Sequence, residues 1–270
     1  MRLAESQEQR ELRASVRKFL ADKQPLAAVR ALMDTPSGYD TGVWQQASSQ
    51  LGLPAIAIPE QYGGAGFTFV EQAIVLEELG GALYCGPYFA SAVLAANALL
   101  CCADEPAKQA HLPGIASGET IATLALGDEE LAAATDAGTW RLTGRRDQVL
   151  DGATADLILV AAADSLFTVA ADAPGMTRTP LSTLDQTRRL AAINCTDTPA
   201  ELVGPAAGLA GVLDRAAVAL AAEQLGGAQA ALDMAVAYAK TREQFNRPIG
   251  TFQTIKHRCA DLLLEVESTR

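Results

Sequence analysis

"YAKTREQFNRPIGTFQTIKHRCADL", residues 238–262, is the stretch on which the reading of this chain turns. A polar helix end, Tyr238 to Gln244, meets an aromatic residue, Phe245. A Pro248-Ile249-Gly250 turn follows, and then a second amphipathic helical pattern begins. Proline presets one backbone angle and glycine frees another, so the turn fixes a corner between two helices. Arg242, Gln244, Gln253 and Phe245 gather about that corner with little apolar packing between them. Such a joint can be a solvated helix end with Phe245 in the core. It can equally be a clamp for a flat, charged ligand. Arginine supplies a permanent planar cation, glutamine a donor and an acceptor, and phenylalanine an apolar face.

Working outward, the helical spacing of Leu209, Val212, Leu213, Ala216, Leu220, Leu225 and Leu232 predicts one long helix ahead of the corner. Gly226 and Gly227 interrupt it, each at roughly 1 kcal/mol relative to alanine, and the close approach of another helix is the expected compensation. Between about Glu119 and Leu202 the texture changes. "TIATLAL", "WRLTGR", "ADLILVAAA" and "SLFTVAA" are short runs of strand character separated by Gly, Asp and Thr. The start of the chain is helical again. Ser6 can cap a helix with Leu12, Val16, Phe19 and Leu20 on one face, and Trp44 with Leu51 marks a second, shorter one. Glu71–Leu79 and Ala90–Leu100 read as two more. The expected organisation is α+β: an N-terminal helical domain (1–118), a middle β domain (119–206) and the start of a C-terminal helical domain (207–270).

Composition narrows the functions. The 270 residues carry a net charge of −11, which argues against a nucleic-acid partner. Apolar residues make up 49% and aromatics 5%, with alanine dominant, so close helix packing is favoured over a β-sandwich. The five cysteines are odd in number and form no C-x-x-C pair, and the adjacent Cys101 and Cys102 read as packing residues in a reducing, cytoplasmic compartment. His111 and His257 lack zinc-site spacing, and His257 reads as a helix-surface residue. There is no secretory h-region and no apolar run long enough to span a membrane. "GGAGFTF" lacks the third glycine and the preceding strand of a dinucleotide fingerprint and reads as a turn. Arg188 and Arg189 in "DQTRRL" read as a solvated surface pair, with CoA phosphates as the other possible contact.

The order of zones, the "PEQYGGAGF" segment at 59–67 and above all the quoted stretch resemble the acyl-CoA dehydrogenases. The resemblance covers essentially the whole chain. It implies a flavoenzyme fold of helices, β domain and helical bundle, with FAD as cofactor and an acyl-CoA as substrate. It also implies an electron-transfer flavoprotein or other acceptor, and a homo- or hetero-oligomer. By the same resemblance Arg242 and Gln253, with Phe245 nearby, touch FAD held mainly by a neighbouring subunit.

Elsewhere the chain departs from the family pattern. Its "TEPxxGSD"-like segment is replaced by "LALGDEELAAATD", Leu124 to Asp136, and its "WITNG" segment by "QVLDG". Gln148 then stands at the tryptophan place and Leu150 at the threonine place. The reaction needs a carboxylate base beside the thioester α-carbon. The family's helix-borne base place holds Ala216, which cannot serve, and its other base place lies beyond Arg270, where the helical pattern runs on without a cap. Glu223, seven residues on from Ala216, is a candidate base; as a structural residue it would pair with an arginine across the bundle. The resemblance therefore leaves three readings: a dehydrogenase subunit, a partner subunit that completes another chain's FAD site as in the paired actinobacterial dehydrogenases of steroid side-chain CoA esters, or another flavin oxidase or monooxygenase.

Overall fold

The computed structural model describes residues 5–127, 131–136 and 138–270. Helices come first: α1 (Gln7–Lys23), α2 (Leu26–Met33), α3 (Thr41–Leu51) and α4 (Phe69–Gly81). A π-helical segment, Phe89–Ala95, runs directly into α5 (Ala96–Cys102), and α6 (Glu105–Ser117) follows. Strands β1 (Ala122–Ala125), β2 (Ala132–Asp136), β3 (Thr139–Leu150), β4 (Leu157–Ala162), β5 (Ser165–Ala170), β6 (Met176–Leu181) and β7 (Leu190–Pro205) fill the middle. The chain ends in α7 (Leu209–Thr241), a short hairpin of β8 (Glu243–Gln244) and β9 (Arg247–Pro248), and α8 (Gln253–Thr269).

Local chemistry explains these elements. Ser6 caps α1 reciprocally: its hydroxyl accepts from the Gln9 N–H at 3.1 Å, and the Gln9 side chain accepts from the Ser6 N–H at 2.8 Å. The expected face of α1 buries Val16, Phe19 and Leu20. Asp40 caps α3 and Asp104 caps α6. Two helices, α2 and α6, lie outside the sequence expectation. Helix α6 carries Pro106 in its first turn, where no N–H is missed, and Pro113 inside. The π-helical turn replaces part of the helix expected over 90–100.

Contacts divide the chain into two compact units. One comprises residues 27–72 and 85–217, and holds the sheet. Its strands run in the order β1-β4-β5-β7-β3-β2, with β6 also paired to β7. Only β1 and β4 pair in parallel among the described strands. Strand β7 ties the sheet together: its first residues pair with both β3 and β6, and its last with β5. A core of Leu99, Leu112, Ile115, Leu124, Leu159 and Leu166 joins helices α5 and α6 to the strands.

The second unit comprises residues 1–26, 73–84 and 218–270. Helices α7 and α8 pack through Leu225, Leu232 and Val266. The close approach expected at the paired glycines is present, against α4: a Cβ on Gly226 would stand 1.7 Å from the Glu77 carbonyl oxygen. Reciprocally, a Cβ on Gly80 would stand 1.9 Å from the Glu223 carbonyl oxygen.

Candidate functional site

The corner at 242–253 is a hairpin as well as a helix joint. Helix α7 ends with the Arg242 N–H donating to the Tyr238 carbonyl at 2.8 Å, and the Arg242 carbonyl then accepts from the Ile249 N–H at 2.8 Å. Strands β8 and β9 pair across a two-residue loop, Phe245-Asn246. Both loop residues are left-handed, at φ 56° and 61°. That is the geometry that matches hairpin twist, and asparagine favours it while phenylalanine does not. The turn therefore fixes Phe245 outward, 87% exposed, which excludes its placement in the core. Its ring meets Phe252 edge-on at 6.1 Å, and the Arg247 guanidinium lies 4.2 Å from the Phe252 ring centroid. Gly250 lets the corner close on α7: a Cβ there would be 2.9 Å from the Ala239 carbonyl oxygen.

Arg242 and Gln253 are both exposed on this corner. The Gln253 amide contacts His257 Nε2 at 3.4 Å, with His257 exposed on α8. An open groove of about 450 Å³ runs along α8 from Gln253 past His257 and Arg258 to Asp261. The corner thus offers solvent a planar cation, an amide and an aromatic face, and its chemistry suits a phosphorylated, partly aromatic ligand. The hairpin and the Arg247–Phe252 stack escaped sequence reasoning, although the asparagine at the turn was a usable signal.

The sheet-borne candidates lie in the other unit. Strand β3 bulges between Arg146 and Val149. The bulge puts Gln148 at φ 56°, exposed, and Leu150 half-buried with its carbonyl accepting from Thr123 Oγ1 at 2.6 Å. A groove of about 530 Å³ lies here, between Leu126–Gly127, Arg145–Gln148 and Leu213. Arg145 pairs with Asp147 at 2.8 Å, while the buried Arg146 donates to the Ala161 carbonyl at 2.8 Å. This edge offers neither an indole nor a side-chain hydroxyl at 148 and 150. Of the Leu124–Asp136 stretch, Asp128, Glu129 and Glu130 lie outside the described residues.

On α7, Ala216 is half-buried, next to Arg215, which donates to Asn97 Oδ1 at 3.0 Å. The inward stripe of this helix runs through Val212, Ala216, Ala219 and Glu223 at helical spacing, while Leu220 is 45% exposed and lies off it. Glu223 is half-buried, and its Cγ lies 3.0 Å from the position of a Cβ on Gly80 of α4. It occupies a helix-packing position, and the structure does not bring it to the 242–253 corner.

Two expectations are corrected. Arg188 and Arg189 are not a solvated surface pair. Arg189 Nη2 donates to the carbonyls of Met33 and Thr35 at 2.7 Å each, and the Arg188 guanidinium sits 5.9 Å from the Phe89 ring centroid. The loop before β7 folds inward, which the charge pattern alone could not reveal. Of the adjacent cysteines taken as packing residues, Cys102 is buried but Cys101 is exposed, with its sulfur 3.5 Å from Arg215 Nη1.

Comparison with known proteins agrees with this architecture. Residues 6–119 match the acyl-CoA dehydrogenase N-terminal domain and residues 208–270 the C-terminal domain. The acyl-CoA dehydrogenase IpdE2 of Mycobacterium tuberculosis is 37% identical over 264 residues, 98% of this chain and 74% of that protein. The ChsE4-ChsE5 complex from Mycobacterium tuberculosis contains a chain 31% identical, with a TM-score of 0.91 over 99% of this chain and 76% of that one. A steroid ACAD variant, Tcur3481-Tcur3483 G363A, is 34% identical with a TM-score of 0.87, covering 96% of this chain and 74% of that one. No helix among the described residues is long and apolar enough to cross a membrane. From its helix, sheet and helix order to its "TREQF" corner, this chain belongs to the acyl-CoA dehydrogenase family, FAD-dependent oxidoreductases that act on the CH–CH bond of CoA thioesters.

Proposed function

We propose that this chain is one subunit of a heteromeric acyl-CoA dehydrogenase, lending Arg242, Phe245 and Gln253 to FAD seated mainly on a homologous partner subunit. The supporting observation is an asymmetry within one molecule. The 242–253 corner holds its cation, amide and aromatic ring outward, as a reach into a neighbour requires. The β3 edge presents an exposed Gln148 and a half-buried Leu150 instead of an aromatic platform and a hydroxyl. The first half fits the pyrophosphate and adenosine of FAD; the second does not fit its ring system. Arg242 would fork onto the pyrophosphate, Gln253 would hydrogen-bond beside it, and Phe245 would cover an apolar face.

When bound, FAD accepts the hydride from the β-carbon of the thioester. The α-proton needs a carboxylate, and the methyl group of Ala216 is none. In this reading the base comes from outside residues 1–270. The substrate class is a CoA ester of a bulky, steroid-derived acid, a choice supported by the steroid dehydrogenase likeness. The site of action is the cytoplasm, in keeping with an odd set of thiols. An electron-transfer flavoprotein or similar acceptor would reoxidise the complex.

Native mass spectrometry with flavin absorbance tests the assembly. A complex of this chain with a homologous partner, holding one FAD per pair of chains, is expected; a homo-oligomer with one FAD in every subunit would sink the reading. In that complex Arg242→Ala is expected to strip FAD, and Arg242→Lys to restore only part of it, because lysine lacks the fork. Unchanged occupancy in both variants would remove the clamp. Glu223→Gln is expected to leave turnover within about threefold of the parent, whereas losing a general base costs about 10²–10⁴-fold. A loss of that size would make Glu223 the base.

A further inference from the structure

We propose that Arg247 is a second phosphate-binding arginine of the 242–253 corner, taking one phosphoryl group of the FAD pyrophosphate while Arg242 takes the other. The inference rests on the FAD reading above and adds to it a residue and a division of roles. The placement comes from the hairpin register. Glu243 pairs with Pro248 and Gln244 with Arg247, and the Ile249 N–H, donating to the Arg242 carbonyl at 2.8 Å, carries the ladder one step further. Side chains alternate along each strand, so Arg242, Gln244, Arg247 and Ile249 share one face, while Glu243 and Pro248 share the other. Arg242 and Arg247 are then diagonal neighbours, at roughly 7–8 Å, within reach of one another's long side chains.

The charges on that face lack a counter-charge. Both arginines are exposed, and neither forms an ion pair with a carboxylate among the described residues. Glu243, the acid nearest in sequence, belongs to the opposite face. Two like charges this close repel, and a ligand with two adjacent negative charges converts the repulsion into attraction. A pyrophosphate carries such a pair, one charge on each phosphoryl group. A guanidinium meets each phosphoryl group through two parallel N–H bonds, so two guanidiniums on one face match two phosphoryl groups in a row.

Phe252 prepares Arg247 for this contact. The Arg247 guanidinium carbon stands over the Phe252 ring, 4.2 Å from its centroid. A cation–π contact engages the face of the guanidinium and leaves the N–H groups at its edge free to donate. The ring itself is held by the backbone: the Phe252 N–H donates to the Ile249 carbonyl at 3.1 Å, and Phe252 stands directly ahead of α8 with extended angles, φ −74° and ψ 132°. A flexible side chain is thus ordered before the ligand arrives, which lowers the entropy lost on binding. Phe252 is in this sense a positioning residue, acting on the ligand through Arg247.

The test is the dissociation constant of FAD from the assembled complex, measured over a range of salt concentrations. Arg247→Gln is expected to raise Kd about tenfold and to flatten its rise with salt, because one charge-assisted phosphate contact is gone. A purely structural arginine would leave the salt dependence as it was. Arg247→Lys keeps the charge without the fork and should fall between parent and Arg247→Gln; it carries the test if Arg247→Gln does not assemble. Phe252→Leu should raise Kd about threefold, and in the Arg247→Gln background its effect should shrink, since the two residues act as one. Unchanged affinity and salt dependence in both Arg247 variants, with Arg242→Ala still stripping FAD, would overturn the second arginine and leave the first in place. Full FAD affinity in Arg242→Ala and Arg247→Gln alike would instead sink the FAD reading on which the inference rests.

Discussion

Gly226→Ala is expected to destabilise the protein by about 3 kcal/mol, although alanine is the better helix former. Helix propensity alone favours the substitution by roughly 1 kcal/mol. The opposing effect is contact with α4. The added methyl would fall 1.7 Å from the Glu77 carbonyl oxygen and 2.9 Å from the Gly81 nitrogen, both rigid backbone. Two helices must then separate by more than an ångström, with loss of packing along their length. The neighbouring glycine is the control. A Cβ on Gly227 would stand 3.7 Å from the Gly80 carbonyl oxygen, an ordinary contact. Gly227→Ala should therefore be neutral, or stabilising by up to about 1 kcal/mol. Urea unfolding of the two variants checks this, and equal midpoints would mean that the α4–α7 contact does not resist separation.

Glu78→Ala is expected to remove about 2 kcal/mol, the order of a lost set of hydrogen bonds between charged groups, because Arg13 keeps Glu5 and Glu77 and Arg17 is largely exposed. The Glu78 side chain is 7% exposed and pairs with Arg13 at 2.8 Å and Arg17 at 2.7 Å. Arg13 is 15% exposed and also meets Glu77 at 2.9 Å and Glu5, while Arg270 of the chain end reaches Glu77. One network thus clasps α1, α4 and the end of α8. Burial alone would raise the Glu78 carboxyl, but the hydrogen bonds from Arg17 and Arg13 prevail and lower it below its ordinary range. Its contribution is present above that range and lost as pH falls through the lowered value. Acid unfolding of Glu78→Ala should accordingly show a shallower pH dependence than the parent. An unchanged acid limb, together with an unchanged urea midpoint, would show the network to be idle.

What the sequence disclosed was what depends on local rules. Ser6 with Gln9 marks a helix start whatever surrounds it, and Gly226-Gly227 announces a close neighbour, though not which helix it is. Strand β7 escaped because it contains Asn194, Asp197 and Pro199 and alternates poorly. It is a strand because β3, β5 and β6 pair with it, a tertiary cause. Strand β6, largely exposed and carrying Pro180, escaped for the same reason. At the site, the corner was legible from Arg242 through Gln253 because a turn and two helix ends are written in consecutive residues. The bulge at Gln148 was not, since register is a property of two strands. Nor were the partly buried positions of Arg188 and Arg189, which depend on a loop folding against Phe89 and against the end of a distant helix.

The unit that contains α1 is assembled from three stretches of chain: residues 1–26, 73–84 and 218–270. Its synthesis is therefore out of step with its folding. About 150 residues separate Glu77 from the Gly226 that packs on it. At roughly 5–20 residues per second, α4 emerges about 7–30 seconds before its helical partner exists. During that interval Gly80 and the apolar face around it have no cover from α7. The sheet-bearing unit can complete most of its pairing in the same window, because β1 to β7 all precede α7. Nascent chains halted near residue 210 should thus hold a protease-resistant sheet beside a degradable N-terminal helix, and chaperone demand should peak before the last sixty or so residues arrive.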